Sequence, residues 1–186
     1  MGPLYIALLH HPVYDKNGAV VTTAVTNLDV HDLGRLAKVY GVRAAYIVTP
    51  VRTMRRLIAR ILEHWETGSG SDYNPTRKEA LALVRLTDSM ETTICEVERD
   101  AGTLPCVVAT SARDGGARVS FADLRAHMAG DQRPHLILLG TGWGLTTEAL
   151  ARADLILEPI RGVSPYNHLS VRTAAAVILD RLRADR

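Results

Sequence analysis

Five short apolar segments are spread along the chain, and they constrain its fold more than any other feature of the sequence. Each has the length of a strand and is apolar almost throughout, as strands buried on both faces of a parallel sheet are. Helical patterns separate them, and this repeated order predicts a three-layer α/β fold with a parallel sheet. We find no domain boundary and expect one domain over residues 1–186. The predicted strands are residues 4–9, 44–48, 106–110, 136–139 and 155–158.

Two of the helical patterns are especially clear, because apolar residues recur on one face at helix spacing. They cover residues 54–65 and 171–182. We expect Ser170 to cap the second of these helices, and a further helix is expected to end at Tyr40. The N-cap of that further helix is expected to be one of two polar residues, Asn27 or Asp29.

Composition and cysteine content narrow the class of protein. Of the 186 residues, 47% are hydrophobic and 23% are charged, which is typical of a globular chain. We find no signal peptide and no apolar run of the roughly 18 residues that a membrane span needs, so we expect a cytoplasmic protein with no membrane partner. The two cysteines, Cys95 and Cys106, lack a C-x-x-C spacing, so neither a disulfide framework nor a metal site is predicted.

The segment from Gly140 to Gly144 holds three glycines in five residues and follows the apolar run 136–139. Glycine is placed where the chain needs a positive φ or where another group approaches the backbone closely. The spacing G-x-G-x-G differs from the dinucleotide-binding motif and from the P-loop, so a phosphate cradle is not predicted. Ligands of parallel α/β sheets bind at the carboxyl ends of strands, and this segment leaves such an end. A cofactor site and a packed turn remain as the two interpretations.

Two further segments complete a pattern with this glycine loop. A strand that ends in Pro159-Ile160-x-Gly162 follows the loop, and Asn167-His168-Leu169-Ser170-Val171 then opens an alanine-rich helix. This order resembles the C-terminal half of the SPOUT class of RNA methyltransferases.

A stretch near the N-terminus is similar to the first motif of that class. Arg35 is followed by Tyr40-Gly41-Val42, as the arginine of the motif is followed by an aromatic residue and Gly-Val. Asp29 stands where the motif has Asn, His31 where it has Gly, and His168 where a later motif usually has Asn. Over nearly the whole chain, the pattern looks closest to a small single-domain bacterial family related to the tRNA (guanine-N1)-methyltransferases.

The resemblance implies a C-terminal deep trefoil knot, with S-adenosylmethionine as the cofactor bound in the knot. It also implies a homodimer, in which the stretch 174–176 would allow close helix approach. The glycines would let backbone groups reach the cofactor, while Leu139, Ile160 and Leu169 would form an apolar slot for adenine. The implied cofactor-binding residues are Thr110, Ser111, Leu139, Gly140, Thr141, Gly142, Gly144, Ile160, Asn167, His168 and Leu169.

Methyl transfer from a sulfonium requires an aligned acceptor and a group that removes the acceptor's proton. The candidate catalytic residues are Asp29, His31 and Arg35, which lie near the start of the first predicted helix. Asp29 or His31 would be the base, and Arg35 would face the substrate. The alternative is that Asp29 or Asp32 only caps the helix and stabilises its dipole. His10 and His11 end the first strand and could also border the site.

RNA, either tRNA or rRNA, is the partner that the resemblance implies. A basic stripe lies opposite the apolar face of the helix 54–65, formed by Arg52, Arg55, Arg56 and Arg60. The alternative for this stripe is an ordinary solvated face. The polar stretch 67–79 predicts the single long loop, which would close over an acceptor. The residues expected to contact RNA are Arg52, Arg56, Arg77 and Lys78.

The predicted function is therefore S-adenosylmethionine-dependent methylation of RNA. The changed motif residues leave a second hypothesis, a non-catalytic module of the same fold that binds S-adenosylmethionine or a nucleoside. A third hypothesis, a different enzyme with a nucleotide cofactor, is disfavoured by the spacing of the glycines.

Overall fold

The structure, a computed structural model, describes residues 1–184 and is built around a six-stranded sheet, with a small hairpin beside it. The strands are β1 (Leu4–Leu9), β2 (Val13–Tyr14), β3 (Val20–Val21), β4 (Ala44–Val48), β5 (Val84–Thr87), β6 (Cys106–Ala109), β7 (His135–Gly140) and β8 (Leu155–Ile156). The helices are α1 (Asn27–Val39), α2 (Arg52–Glu66), α3 (Ser69–Tyr73), α4 (Pro75–Leu81), α5 (Met90–Ala101), α6 (Phe121–Gly130), α7 (Thr147–Ala151) and α8 (Val171–Arg183). Strands β2 and β3 form the hairpin.

All strands of the larger sheet pair in parallel, in the order β5-β4-β1-β7-β6-β8. Their last residues therefore meet at one edge of the sheet, which we call the carboxyl edge, and their first residues meet at the opposite, amino edge. The register places Leu9 beside Gly140 at the carboxyl edge. It places Cys106 beside His135 at the amino edge.

Helices cover both faces of the sheet, because successive side chains of each strand point to opposite faces. One face packs against α1, α2, α4, α6 and α8 in a core cluster that includes Ile6 and Ile137. The other face packs against α5 and α7 in a cluster that includes Tyr46 and Leu138. The predicted three-layer α/β arrangement with a parallel sheet is confirmed.

Each predicted strand is present, with end points that shift by at most two residues. Strand β5 was not predicted, because its short sequence Val-Arg-Leu-Thr is half-buried in the middle and gives no continuous apolar run. Ser170 caps α8 as expected, since its hydroxyl accepts a hydrogen bond from the N–H of Thr173. None of the helices in residues 1–184 has the length and apolarity of a membrane span.

Two local predictions are wrong. The N-cap of α1 is Thr26 rather than Asn27 or Asp29, because the Thr26 hydroxyl accepts from the N–H of Asp29 in a capping box. The stretch 67–79 is not a long loop, since it contains α3 and most of α4. The side chain of Asn74 caps α4, and Pro75 occupies its first turn, where a missing N–H has no cost.

Candidate functional site

Three segments converge beyond the carboxyl edge, where strands β6, β7 and β8 end. The Arg113 guanidinium, after β6, donates to the carbonyl of Trp143, after β7, over 2.9 Å. The Asn167 side chain, in the segment 158–170, donates to the carbonyl of Ala112 over 2.8 Å. Arg161 forms an ion pair with Asp114. The structure thus brings together the loops that hold the predicted cofactor-binding residues.

The glycine loop packs tightly against the hairpin. The N–H of Trp143 donates to the carbonyl of Tyr14, and the N–H of Tyr14 donates to the carbonyl of Gly144, both over 2.9 Å. A Cβ on Gly142, whose φ is +59°, would lie 2.9 Å from the Tyr14 carbonyl oxygen. A Cβ on Gly140 would lie 2.8 Å from the Leu145 nitrogen. Internal packing therefore accounts for these two glycines.

Gly144 differs from the other two glycines of the loop. It also has a positive φ, of +99°, but a Cβ there would meet nothing within 4 Å. The loop is thus a packed turn at Gly140 and Gly142, and it leaves open space at Gly144. This open space is where a ligand could approach the backbone.

The predicted adenine slot is only partly exposed. Leu139 is 2% exposed and belongs to the core, whereas Ile160 is half-buried and Leu169 is 43% exposed. Surface for a ligand therefore comes from Ile160 and Leu169, and Leu139 belongs to the core cluster against which Ile160 packs. The imidazole of His168 packs edge-on against Tyr166, with ring centroids 5.4 Å apart. Partly exposed apolar side chains of this kind suit the adenine of a nucleoside-type cofactor.

The hydroxyl groups predicted for the cofactor site make internal hydrogen bonds. The Thr110 hydroxyl donates to the carbonyl of Leu138 over 2.8 Å, and the Ser111 hydroxyl accepts from the N–H of Arg113. The Thr141 hydroxyl donates to the carbonyl of Leu9 over 3.0 Å. These three residues fix the loop geometry at the carboxyl edge.

His10, the residue that follows β1, is the buried centre of a hydroxyl network. Its Nδ1 lies 3.0 Å from the Thr23 hydroxyl, which lies 2.5 Å from the hydroxyl of Thr141. The ring is 1% exposed, and its Nε2 has no hydrogen-bond partner. Burial lowers the pKa of His10 below its usual value of 6.5, although the nearby Asp29 carboxylate opposes this effect. The imidazole is therefore neutral at physiological pH.

Asp29 is buried at the start of α1, with both carboxylate oxygens hydrogen-bonded. Its Oδ2 accepts from the N–H and the hydroxyl of Thr26, each over 2.8 Å. Its Oδ1 accepts from the Arg172 guanidinium over 3.0 Å, and Arg172 also contacts Asp32. Asp29 thus joins the start of α1 to the start of α8. Asp29 is therefore the partner of Thr26 in the capping box and not the N-cap itself.

His31 and Arg35 lie apart from Asp29, since His31 faces α2 rather than α8. His31 lines a groove of about 390 Å³ between α1 and α2, which we call the α1–α2 groove. Burial, with a further contribution from Arg77, lowers the pKa of His31. Arg35 is exposed one turn further along α1. The groove is lined by Asn27, His31, Arg60, Ile61, His64 and Trp65.

Trp65 is the centre of the α1–α2 groove. His31 and His64 both meet its indole edge-on, with ring centroids 5.5 and 5.4 Å away. The guanidinium of Arg77 lies over the indole, 5.1 Å from its centroid. The groove therefore combines aromatic surface with positive charge, which suits contact with a nucleobase and its phosphates.

The predicted RNA-binding residues are divided between exposed and half-buried positions. Arg52, Arg56 and Lys78 are exposed, and Arg77 is half-buried against Trp65. Arg55 was assigned to the basic stripe, but it is half-buried and lies 3.7 Å from Asp88, so that assignment is wrong. The apolar face of α2 is only partly covered by the rest of the protein. Ile58 on this face is fully buried, whereas Ile61, Leu62 and Trp65 are partly buried.

Sequence reasoning missed three residues that join the parts of this site. They are Thr23, Arg113 and Arg172, and their partners are distant in sequence: Thr23 and Arg172 contact residues 118 and 143 positions away. His10 was recognised only as a residue that could border the site. The alternation of strands predicted a shared carboxyl edge, but no local pattern predicted these pairings.

Comparison with known proteins defines the class and then the family. The fold is that of the SpoU-type methyltransferases: the SpoU methyltransferase AviRb from Streptomyces viridochromogenes superposes with a TM-score of 0.61 at 17% identity, over 97% of this chain and 58% of that chain. A family model described as SAM-dependent RNA methyltransferase matches residues 3–184. The chain belongs to this family, whose cofactor is S-adenosylmethionine. The resemblance to SPOUT-class RNA methyltransferases is confirmed.

Two relatives extend the comparison. The chain is 45% identical over 182 residues to the tRNA (guanine-N(1)-)-methyltransferase of Oleidesulfovibrio alaskensis. The aligned region covers 98% of this chain and 42% of that protein. It is also 41% identical over 179 residues to an uncharacterized protein of Aquifex aeolicus, and here the aligned region covers 96% of this chain and 87% of that protein. The chain thus spans about two fifths of the length of the first relative.

Proposed function

We propose that this chain is an S-adenosylmethionine-dependent RNA methyltransferase that acts on tRNA, with residues 1–186 as one methyltransferase domain. Membership of the family supports the reaction. The name of the Oleidesulfovibrio relative supports tRNA as the substrate and N1 of guanine as the first acceptor to test. The observation that carries the proposal is the hydrogen bond between Thr23 and Thr141, because it joins the glycine loop to the segment leading into the α1–α2 groove.

The proposed cofactor site lies between the glycine loop and the segment 158–170. When bound, S-adenosylmethionine supplies a methyl group that its positively charged sulfur has already activated. Gly144 offers open backbone, Ile160 and Leu169 offer apolar surface for adenine, and Leu139 supports them from the core. Thr110, Ser111 and the other predicted residues hold the surrounding loops in place. This set of residues stays a prediction.

The proposed acceptor site is the α1–α2 groove. Its volume of about 390 Å³ lies within the usual range for ligand pockets. A flipped base would contact Trp65, because unpaired RNA bases are commonly bound on aromatic side chains. Exposed cations of α1, α2 and α4 would contact phosphates; these are Arg35, Arg52, Arg56, Arg60 and Lys78.

We assign His31 as the base that removes the acceptor's proton. N1 of guanine carries a proton that must leave when the nitrogen is methylated, and a neutral imidazole can accept it. His31 lines the groove, and burial keeps its pKa low, so the ring is neutral at pH 7. Asp29 is assigned a positioning role, since both of its oxygens are already hydrogen-bonded. Arg35 is assigned to substrate binding.

The proposed assembly is a knotted homodimer in the cytoplasm. Residues 156–158 lie alongside Val119, with two backbone hydrogen bonds of 2.9 Å, and Asn167 in the segment 158–170 donates to the carbonyl of Ala112 in the loop after β6; this contact between the two segments supports a knot there. Exposed apolar side chains in that segment, Val163 and Tyr166, support a second copy as its partner. The stretch 174–176 contributes less than the sequence suggested, because Ala175 is buried in the chain's own core. The naming of relatives as tRNA methyltransferases supports the cytoplasm.

The non-catalytic alternative is not favoured. The family match covers nearly the whole described chain, and the Oleidesulfovibrio relative is named as an enzyme. The changed motif residues Asp29 and His31 have roles in this proposal, as a helix-joining carboxylate and as the base.

His31→Gln tests this proposal, with His64→Gln as the matched control, because both rings meet Trp65 in the same edge-on way. Transfer of a labelled methyl group to tRNA and to rRNA fractions is measured, and the modified nucleotide is identified by mass spectrometry. His31→Gln should lower turnover by about 10²–10⁴-fold with unchanged cofactor affinity, whereas His64→Gln should keep most activity. Wild-type turnover should rise with pH through a limb below pH 6.5, and this limb should vanish in His31→Gln.

Three outcomes contradict parts of the proposal. Cofactor binding without transfer to any RNA would support the non-catalytic module. Transfer to rRNA alone would overturn the choice of tRNA. Equal loss of turnover in both histidine variants would assign the groove to substrate binding and leave His31 without a role as the base.

A further inference from the structure

A second cluster of reactive side chains lies at the amino edge, on the side of the sheet opposite the proposed cofactor site. Cys106 is the first residue of β6 and His135 is the first residue of β7, and the register places them beside each other. His127, near the end of α6, packs its ring edge-on against His135, with centroids 5.5 Å apart. The proposed methyl transfer uses none of these residues.

The distances in this cluster are those of a nearly formed metal site. One donor atom from each of Cys106, His127 and His135 can be chosen so that all three lie within 4.8 Å of one another. The Cys106 sulfur is 4.0 Å from Nε2 of His127. A tetrahedral zinc ion with its usual bond lengths needs a sulfur–nitrogen separation of about 3.5 Å. Small side-chain rotations would therefore close the site.

His135 provides an independent sign of a ligand. Its side chain is 0% exposed, and neither ring nitrogen has a hydrogen-bond partner. Burial lowers the pKa of His135, and the nearby Arg133 backbone opposes this effect without a hydrogen bond of normal geometry to the ring. Buried polar groups are normally paired, so a buried imidazole with two unpaired nitrogens requires an explanation. A metal ion beside the Cys106 sulfur would occupy one of them.

We propose that Cys106, His127 and His135 bind a Zn²⁺-type ion that joins β6, β7 and α6. One thiolate and two neutral imidazoles are ligands that Zn²⁺ prefers. The thiol of Cys106 releases its proton to solvent when the ion binds, so no oxidant or reductant is needed. His127 is half-exposed and leaves a path for entry. The proposal is independent of the proposed methyl transfer.

A water molecule would occupy the fourth position of the ion, because no described carboxylate lies within 4.8 Å of all three donor atoms. Oδ2 of Asp131 lies 3.5 Å from Nε2 of His127 and contacts this imidazole alone among the three ligands. The same carboxylate accepts from Arg133 over 2.9 Å, which orients it. The sequence prediction of no metal site considered only closely spaced cysteines, whereas these ligands come from three separate elements.

Titration of the metal-free full chain with Co²⁺ tests the proposal, because a cobalt–thiolate bond gives a charge-transfer absorption that imidazole and carboxylate ligands do not. We expect one equivalent of Co²⁺ to produce this absorption and Zn²⁺ to displace it. Zn²⁺ at 100 times its Kd should raise Tm by roughly 5–10 °C. The absence of either effect would overturn the proposal.

Variants locate the site. His127→Ala changes a half-exposed residue and should fold normally, and it should weaken Co²⁺ binding by about 100-fold or more. Cys106→Ser should abolish the charge-transfer absorption. The matched controls, Cys95→Ser and His64→Ala, should leave binding unchanged. An absorption that persists in Cys106→Ser, or is lost in Cys95→Ser, would overturn the assignment, as would wild-type affinity in His127→Ala.

Discussion

The two edges of the parallel sheet each hold a buried histidine, but the two rings have different surroundings. His10 follows β1 at the carboxyl edge, and His135 begins β7 at the amino edge; each has an unpaired ring nitrogen. Thr23 joins His10 to the glycine loop, whereas His135 faces a thiol and a second imidazole. The same residue type therefore belongs to a hydroxyl network at one edge and to the proposed metal site at the other.

This difference follows from what parallel strands provide at each end. At the carboxyl edge, long segments leave the sheet, and residues such as Trp143 and Leu169 are 58% and 43% exposed. At the amino edge, the strand register itself fixes Cys106 beside His135, and both are buried. The carboxyl edge thus depends on contacts between loops, and the amino edge depends on the sheet. Substitutions of residues at the two edges test this difference.

The largest effect is expected for Gly142→Ala, compared with Gly102→Ala. Both glycines have positive φ values, of +59° and +78°, so both alanines carry the same backbone strain. Only at Gly142 does the new Cβ meet an atom, the Tyr14 carbonyl oxygen at 2.9 Å. We expect Gly142→Ala to cost about 3–4 kcal/mol and Gly102→Ala about 1 kcal/mol. Urea unfolding measures both.

Cofactor binding should separate the two glycine variants further. Displacement of the hairpin would open the glycine loop, so Gly142→Ala should lower S-adenosylmethionine affinity by about 10²-fold or more in calorimetry. Gly102 lies after α5, near the amino edge, and its variant should bind normally. Equal affinities in the two variants would show that the hairpin contact does not matter for the cofactor site.

Much of the fold could be predicted because apolar runs report burial directly. The predicted bounds of β1 and β4 agree with the structure at every residue, since both strands are buried throughout. Strand β5 gave no such signal, because its middle residues, including Arg85, are half-buried. The helices α3 and α4 lie in a polar stretch, where Asn74 before a proline was a capping signal that composition obscured.

Parts of the candidate site could be predicted only where a single residue type indicates its own local structure. Glycine reports backbone conformation, so the loop 140–144 was identified from sequence. A pairing such as Asp29 with Arg172 depends on two helix starts meeting in space, which no local pattern encodes. The same limit applies to the amino-edge cluster, whose ligands come from α6 and two strands.

An intermediate effect is expected for Asp29→Ala, compared with Asp32→Ala. Both carboxylates contact Arg172 at 3.0 Å, but the Asp29 side chain is 5% exposed and that of Asp32 is 41% exposed. Loss of the buried contact and the capping box should cost about 2–3 kcal/mol, whereas loss of the exposed pair should cost less than about 1 kcal/mol. Thermal and urea unfolding of both variants measure this difference.

The conservative variant Asp29→Asn distinguishes positioning from proton transfer. It keeps an oxygen that can accept from Thr26, so turnover should fall less than tenfold once unfolded protein is accounted for. A loss of 10²-fold or more with unchanged stability would instead identify Asp29 as the base, in place of His31.

The smallest effect is expected for His10→Asn, and it concerns the dependence of stability on pH. Because burial lowers the pKa of folded His10 below 6.5, the unfolded chain binds more protons as the pH falls through 6.5. The contribution of the buried neutral ring to the free energy of unfolding is therefore complete above that pH. It is lost progressively below that pH, with a slope of at most about 1.4 kcal/mol per pH unit.

Asparagine keeps an acceptor near the Thr23 hydroxyl but has no titrating group, so the fall in unfolding free energy between pH 7 and pH 5 should be smaller in the variant. His168→Asn, at an exposed position, serves as the control and should retain the wild-type fall. An unchanged slope in His10→Asn would mean that solvent reaches the His10 ring, and the contrast between a closed hydroxyl network and the amino-edge cluster would then be lost.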